Sequence, residues 1–265
     1  MNVIYMNDRA RSGENNSRSL IEEAARAFDT ELHTQAYMET HSDAAQLDWL
    51  VSALCISAPR NVLDLGTGNG YVAMEVAKHA STSSVVGLDI AAAAIEKNKA
   101  VASSRRIANI EFRVGDGIVL PFQDDWFDGV VCRYAFHHMP RPGTTVSEIS
   151  RVLRNRGRLV FADAIRDNKD STNFINAFQE LKHDGHVEIL RSDELVRTFH
   201  NYGFRLEDHY ETSLSFERKR SKEYDALIQT TPKEVLEGYK LSVENHCIQL
   251  TFSIFNAVFT NNPTR

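Results

Sequence analysis

Five short, nearly continuous apolar runs separated by stretches of helical periodicity constrain this chain more than any other feature. The runs are Val62–Leu65, Val85–Ile90, Ile110–Val114, Gly129–Cys132 and Leu159–Ala162. A strand covered on one face alternates apolar with polar residues, so unbroken runs predict strands buried on both faces. Helical stretches at Tyr71–His79, Ala91–Ala102 and Thr144–Leu153 lie among them. This alternation predicts an α/β fold with a mainly parallel sheet, right-handed crossovers, helices on both faces and a ligand site at the carboxyl edge.

The flanks complete the organisation. Leu20, Ile21, Ala24, Ala25 and Phe28 share one helical face, and Leu47, Leu50, Val51 and Leu54 repeat the pattern. Two or three helices therefore precede the first strand, either covering a sheet edge or also lidding a pocket. After Asp163, helices are predicted at Ser171–Leu181 and Asp193–Tyr202, the latter stopped by Gly203. Phe204, Leu206, Tyr210, Leu214 and Phe216 alternate with charged residues as a period-two strand, and Leu250, Phe252 and Ile254 mark a last one. These two strands are expected to pair antiparallel at one sheet edge, with a charged helical insertion at about 221–246 between them. The division expected is a polar, loose tail (Met1–Arg18) and lid helices over 1–58, then one domain over 59–265.

Composition narrows the class of function. The net charge of −6 in 265 residues argues against a surface built to neutralise many phosphates, which favours a small-molecule or protein substrate over nucleic acid. Cys55, Cys132 and Cys247 are odd in number and far apart, so neither a disulfide framework nor a zinc site is expected, and they read as reduced thiols of a cytoplasmic protein. Nothing approaches a membrane-spanning run, and His183 and His186 lack the carboxylate or cysteine spacing of a metal site.

The chemistry concentrates where the first strand ends in Asp64-Leu65-Gly66-Thr67-Gly68-Asn69-Gly70 and runs into a helix. Glycines allow a tight turn and close approach of a ligand, while a helix amino end can offer N–H donors. The same pattern also suits a ligand-free turn. Asp89 closes the second strand, 23 residues beyond Gly66, where a Rossmann-type fold sets a carboxylate against ribose hydroxyls; it is equally placed to cap the helix from Ala91. A third acid, Asp116, follows the third strand in Phe112-Arg113-Val114-Gly115-Asp116-Gly117.

With Leu120-Pro121-Phe122, Trp126–Met139 and Arg151–Asp163 added, the chain resembles the class I, Rossmann-like methyltransferases, specifically the small-molecule group that includes the ubiquinone and menaquinone biosynthesis C-methyltransferases. The resemblance covers about one hundred residues in order and spacing. It implies a seven-stranded sheet with an antiparallel edge strand, an N-terminal helical lid and S-adenosyl-L-methionine as donor, leaving S-adenosyl-L-homocysteine as product. By the same resemblance Gly66, Thr67 and Gly68 face the methionine part with Asp64 beneath, Asp89 binds the ribose, Ile90 packs on adenine and Asp116 accepts from the adenine amino group. Gly117 and Ile118 add backbone contacts, and Arg133 sits where the fourth strand meets the donor, or else pairs with a structural carboxylate. Asn69 stands at a turn position that varies in the family.

Methyl transfer needs a nucleophile in line with the sulfonium methyl, and a base where the acceptor must lose a proton. His137 and His138, in Cys132-Arg133-Tyr134-Ala135-Phe136-His137-His138-Met139, are the candidates for that base, or else orient substrate; Tyr134 and Phe136 read as packing or pocket lining. Tyr37 and His41 are candidates to reach the acceptor from the lid. The expected partner is a small, partly aromatic or apolar acceptor methylated at O, C or N, without nucleic acid or membrane, and with a homodimer left open. Three alternatives stand beside this: a donor-binding protein that transfers no methyl, an RNA or protein methyltransferase, and a nicotinamide dehydrogenase. The last would more typically carry G-x-G-x-x-G, whereas Gly66, Gly68 and Gly70 are spaced by two.

Overall fold

A computed structural model describes residues 14–56, 58–81 and 83–262. The apolar runs form β1 (Asn61–Leu65), β2 (Ser84–Asp89), β3 (Ile110–Val114), β4 (Phe127–Arg133) and β5 (Leu153–Ile165), joined in parallel, and β6 (Phe204–Lys219) and β8 (Cys247–Asn261) complete the sheet antiparallel. The order across the sheet is β3-β2-β1-β4-β5-β8-β6, the seven long strands expected, and a two-residue β7 (Ser242–Val243) pairs with β8.

Both faces of the central strands are buried, which is why their sequences do not alternate. Val62, Val85, Val131 and Val160 pack on one side against α3 (Ala44–Cys55), α4 (Tyr71–His79) and α5 (Ala92–Ser104). Leu63, Leu65, Val130 and Phe161 pack on the other against α6 (Pro142–Val152) and α8 (Ser192–His200). The order reverses between β1 and β4, and there the carboxyl ends splay into a crevice, the usual ligand position in such sheets.

Three elements differ from expectation. The helix read from Ser17 begins at Glu14 and runs to Glu31 as α1, so the supposed tail is helical from residue 14, and residues 1–13 lie outside the described residues. The helix read over Ser171–Leu181 is only α7 (Phe174–Glu180), because Asn173 stands in the left-handed region at φ 60° and cannot extend it amino-terminally. β8 continues to Asn261, well past Ile254, since its second half is sandwiched between β5 and β6 and carries the run Phe255–Phe259, apolar but for Asn256. The insertion holds α9 (Lys222–Thr230), α10 (Lys233–Gly238) and β7. At the other end α2 (Gln35–His41), opened by the Thr34 hydroxyl accepting from Tyr37 N, lies with α1 over the crevice.

Candidate functional site

The turn after β1 is tied down by its own neighbours. Gly66 N and Thr67 N both donate to the carbonyl of Leu88, at 2.8 and 3.0 Å, and Gly68 N donates to Asp89 Oδ2 at 2.8 Å. The Thr67 hydroxyl and Ala73 N donate to Asp64 Oδ2 at 2.7 and 3.0 Å, and Tyr71 N to Asn69 Oδ1 at 3.2 Å. At the helix amino end, expected to offer N–H donors, the turn's own side chains thus take two amides, Tyr71 N on Asn69 and Ala73 N on Asp64. Gly66 is required sterically, with φ +71° and a would-be Cβ only 2.3 Å from the Ala135 Cβ.

Every residue expected at the donor site except Ile118 lines one cleft of about 990 Å³, mouth included: Asp64, Gly66, Thr67, Gly68, Asp89, Ile90, Asp116, Gly117 and Arg133, joined by Tyr37, His41 and His138. Ile118 is half-buried, and its N–H donates to Asp116 Oδ1. Three carboxylates and one guanidinium are thus the charged groups of the cleft. Asp64 is 2% exposed, and burial pushes its carboxyl up to about 6 despite the Thr67 and Ala73 bonds. Burial also raises Asp89, against the amides of Ala91, Gly68 and Ile90. Asp89 does cap the chain at Ala91, through Oδ1 at 2.9 Å, and with the Gly68 and Ile90 amides also on this carboxylate one acceptor site stays open. Asp116 spends Oδ1 on Ile118 N and Val119 N; among the described residues Oδ2 has no partner.

Among the described residues Arg133 joins no carboxylate. Its Nε donates to Gln46 Oε1 at 2.7 Å and its Nη2 to the His41 carbonyl at 2.6 Å, with the guanidinium over Tyr134 and Tyr71 at 4.2 and 5.2 Å. Gln46 in turn donates to Asn256 Oδ1 on β8 at 2.7 Å, so a buried polar chain fixes the arginine from the antiparallel side of the sheet. Tyr37 stacks on His41 at 4.0 Å between centroids. Burial raises the Tyr37 phenol and pulls the His41 imidazole down to about 4.

After β4 the chain turns sharply, with Tyr134 at φ +53°, a conformation costly for a bulky side chain and found where neighbours enforce it. The next turn separates the two histidines. His137 N donates to Asp163 Oδ2 at 3.2 Å, and its Nδ1 lies 2.5 Å from Asp163 Oδ1, the carboxylate being 2% exposed on β5. Burial works against charge on this imidazole, but the Asp163 carboxylate outweighs it and leaves the pKa raised. His138 sits edge-on to Phe28, its Nδ1 buried without a partner; burial and the neighbouring His137 drop it to about 3. His137 and His138 both line a second chamber, which shares Phe28, Tyr37, His41, Tyr134 and His138 with the cleft.

Sequence reasoning missed Asp163, Gln46 and Asn256, because their partners lie 26, 87 and 210 residues away and no local motif announces them. It also passed over His186, whose ring lies 5.9 Å from that of His137 and whose Nε2 meets Asn176 Oδ1 at 2.9 Å. Among the described residues no group of three His, Cys, Asp or Glu could hold a metal, and no helix is long and apolar enough to cross a membrane.

A family model described as a methyltransferase domain matches residues 56–223. The uncharacterized methyltransferase YcgJ of Bacillus subtilis is 29% identical over 147 residues, 55% of this chain and 57% of its own length. The demethylmenaquinone methyltransferase of Thermus thermophilus is 36% identical over 124 residues, 45% of this chain and 55% of its own. The chain thus spans about half the length of the curated relatives it matches. The solved structure of the Bacillus subtilis YcgJ protein superposes with a TM-score of 0.72 at 20% identity, covering 83% of this chain and 99% of that one, a likeness of fold.

Proposed function

This chain belongs to the methyltransferase-domain family, and on that premise we propose that it binds S-adenosyl-L-methionine in the cleft and methylates O, C or N of a small, partly apolar acceptor held in the adjoining chamber. The observation that carries this reading is the charge pattern at the strand tips. Asp64, Asp89 and Asp116 meet around one cleft with a single guanidinium, Arg133, so the site is net anionic. A dinucleotide would bring its pyrophosphate to buried carboxylates and to a turn in which the Gly66, Thr67, Gly68 and Ala73 amides are already taken. A donor carrying a sulfonium and an ammonium answers the carboxylates, and its own carboxylate answers Arg133.

The residues present fit that group. Asp89 retains an acceptor site for a ribose hydroxyl, and Asp116 Oδ2 is free to accept from an amino group on the base. Ile90, half-buried on the lining, offers an apolar face to a ring, and Gly117 leaves the backbone close beside Met139. When bound, the donor supplies an electrophilic methyl on a positively charged sulfur.

This chain's own contribution is placement and proton handling. Asp163 holds His137 through Nδ1, which leaves Nε2 as the proton acceptor on a ring that lines the chamber. In this reading His137 is the base and His138 a neutral wall, because a group titrating near 3 has little basicity to offer. Phe28, Tyr37 and Tyr134 keep water from the boundary between cleft and chamber, which sharpens every electrostatic contact inside.

Calorimetry of the full chain with S-adenosyl-L-methionine, S-adenosyl-L-homocysteine and NAD tests the donor. Uptake of the first two and not the third supports the reading, and the reverse pattern removes it. An acceptor panel followed by mass spectrometry of S-adenosyl-L-homocysteine then separates transfer from donor binding alone.

A further inference from the structure

The chamber beside the cleft holds a charge that the proposed reaction does not use. Its wall carries Lys182 and Arg218 as cations, beside the His137 imidazole. Lys182 lies 2.8 Å from Glu31 and 2.9 Å from Asp184, and His137 has Asp163. Arg218, projecting from β6, has no carboxylate within ion-pair distance among the described residues.

What holds this arginine is neutral. Nη2 donates to Gln179 Oε1 at 3.2 Å and Nη1 to the Glu217 carbonyl at 3.1 Å, the Tyr224 hydroxyl lies beside it, and the guanidinium stacks on Phe216 at 4.3 Å. Its Nε is buried with no partner at all. Asp184 and Glu31 are near enough to be felt, but both are committed to Lys182; Glu217 is exposed on the strand. Burial works against the charge, Asp184 and Glu31 offset this only from beyond ion-pair distance, and the guanidinium is left without a direct counter-ion among the described residues. A guanidinium clamped flat against an aromatic ring keeps its remaining N–H edge in a fixed geometry, the arrangement that matches a planar carboxylate.

We infer that the methyl acceptor is a carboxylate-bearing small molecule whose anionic end lies against Arg218 while its apolar body rests on Phe216, Phe252 and Leu214. This rests on the reading of the adjoining cleft as the donor site. Arg218 lacks a direct partner and can take one carboxylate, while Glu31, Asp184 and Glu217 already outnumber Lys182 and Arg218 on the lining, so a phosphate dianion would leave its second charge facing them.

The test is titration of the full chain saturated with S-adenosyl-L-homocysteine, and of the ligand-free chain, with 3-phenylpropanoate, its neutral isostere 3-phenylpropanamide, and 2-phenylethyl phosphate. We expect the carboxylate to bind about tenfold or more tighter than the amide, worth one charge-assisted contact. In Arg218→Gln that ratio should fall to near one with homocysteine-product affinity unchanged, and Arg218→Lys should keep part of it. Melting curves check that both variants fold, and the wild-type ratio stands without either. Equal binding of carboxylate and amide, no binding of either, a preference that survives in Arg218→Gln, or tighter binding of the phosphate each overturns the proposal. Loss of product binding with the carboxylate preference intact in the ligand-free chain would count against the donor reading alone.

Discussion

Replacing Asp163 by Asn tests the proposed base through the partner that positions it. All three groups that meet this carboxylate are donors: His137 N at 3.2 Å on Oδ2, and His137 Nδ1 at 2.5 Å with Ala164 N at 2.7 Å on Oδ1. An amide can match only one side. With its oxygen at the Oδ1 position it keeps two bonds and turns its NH₂ against the His137 backbone N–H; in the flipped orientation it keeps one and forces the ring into the tautomer protonated on Nε2. The first arrangement costs less, and losing one buried bond amounts to about 1–3 kcal/mol of stability. The larger effect is electrostatic. With the carboxylate neutralised, burial is no longer opposed by Asp163, and the imidazole pKa should fall. Turnover at saturating acceptor should then drop about 10–100-fold, since each 1.4 kcal/mol lost to the developing imidazolium is a factor of about ten. The direct assay is NMR titration of the His137 ring, assigned by comparison with His137→Gln. A midpoint above 6.5 in the wild type and below it in Asp163→Asn is expected; identical midpoints in both would refute the dyad.

Three further outcomes follow from the same geometry. Gly66→Ala should lower stability by about 2–4 kcal/mol, read as a reduced denaturation midpoint, because a Cβ 2.3 Å from that of Ala135 must displace the turn after β4 at a left-handed φ; an unchanged midpoint would contradict the packing described. Asp64 titrates near 6 when folded and near 3.8 when unfolded, so the stability its proton lends is full below about 4 and lost as pH rises through about 6, on the order of 3 kcal/mol. Asp64→Asn, which keeps an amide oxygen for Thr67 and Ala73, should therefore gain in melting temperature over the wild type as pH rises from 4 to 7 while binding S-adenosyl-L-methionine more weakly, and a pH-independent difference would argue against a buried charge there. Gln46→Leu cuts the chain from Asn256 to Arg133 and should weaken donor binding by about 1–3 kcal/mol in calorimetry with the fold retained; unaltered affinity would show that Arg133 needs no such anchor.

Most of the sheet was legible because burial on both faces writes itself into consecutive residues: Val62 and Leu63 pack on opposite layers and both must be apolar. The acidic strand tips were legible for the same reason, since a carboxylate ending such a run stands out. The second half of β8 was not, because Phe255–Phe259 lacks the polar alternation of its first half once β5 and β6 flank it. Asn173 hid the start of α7, as a left-handed φ at a non-glycine residue is imposed by its surroundings rather than by its type. The pairing of His137 with Asp163 is a meeting of β5 with the turn after β4, and only the register of those strands creates it.

The wall formed by Phe28, Tyr37 and His41 belongs to two compartments at once. Any displacement of the two leading helices that a first ligand favours changes the room left for a second, so the two occupancies are thermodynamically linked, and by reciprocity each alters the other's affinity by one and the same factor. The Arg133 bond to the His41 carbonyl sets the stiffness of that linkage, as it fastens the rim of the partition to the sheet beneath. Two pockets built against one shared partition answer to one another's occupants.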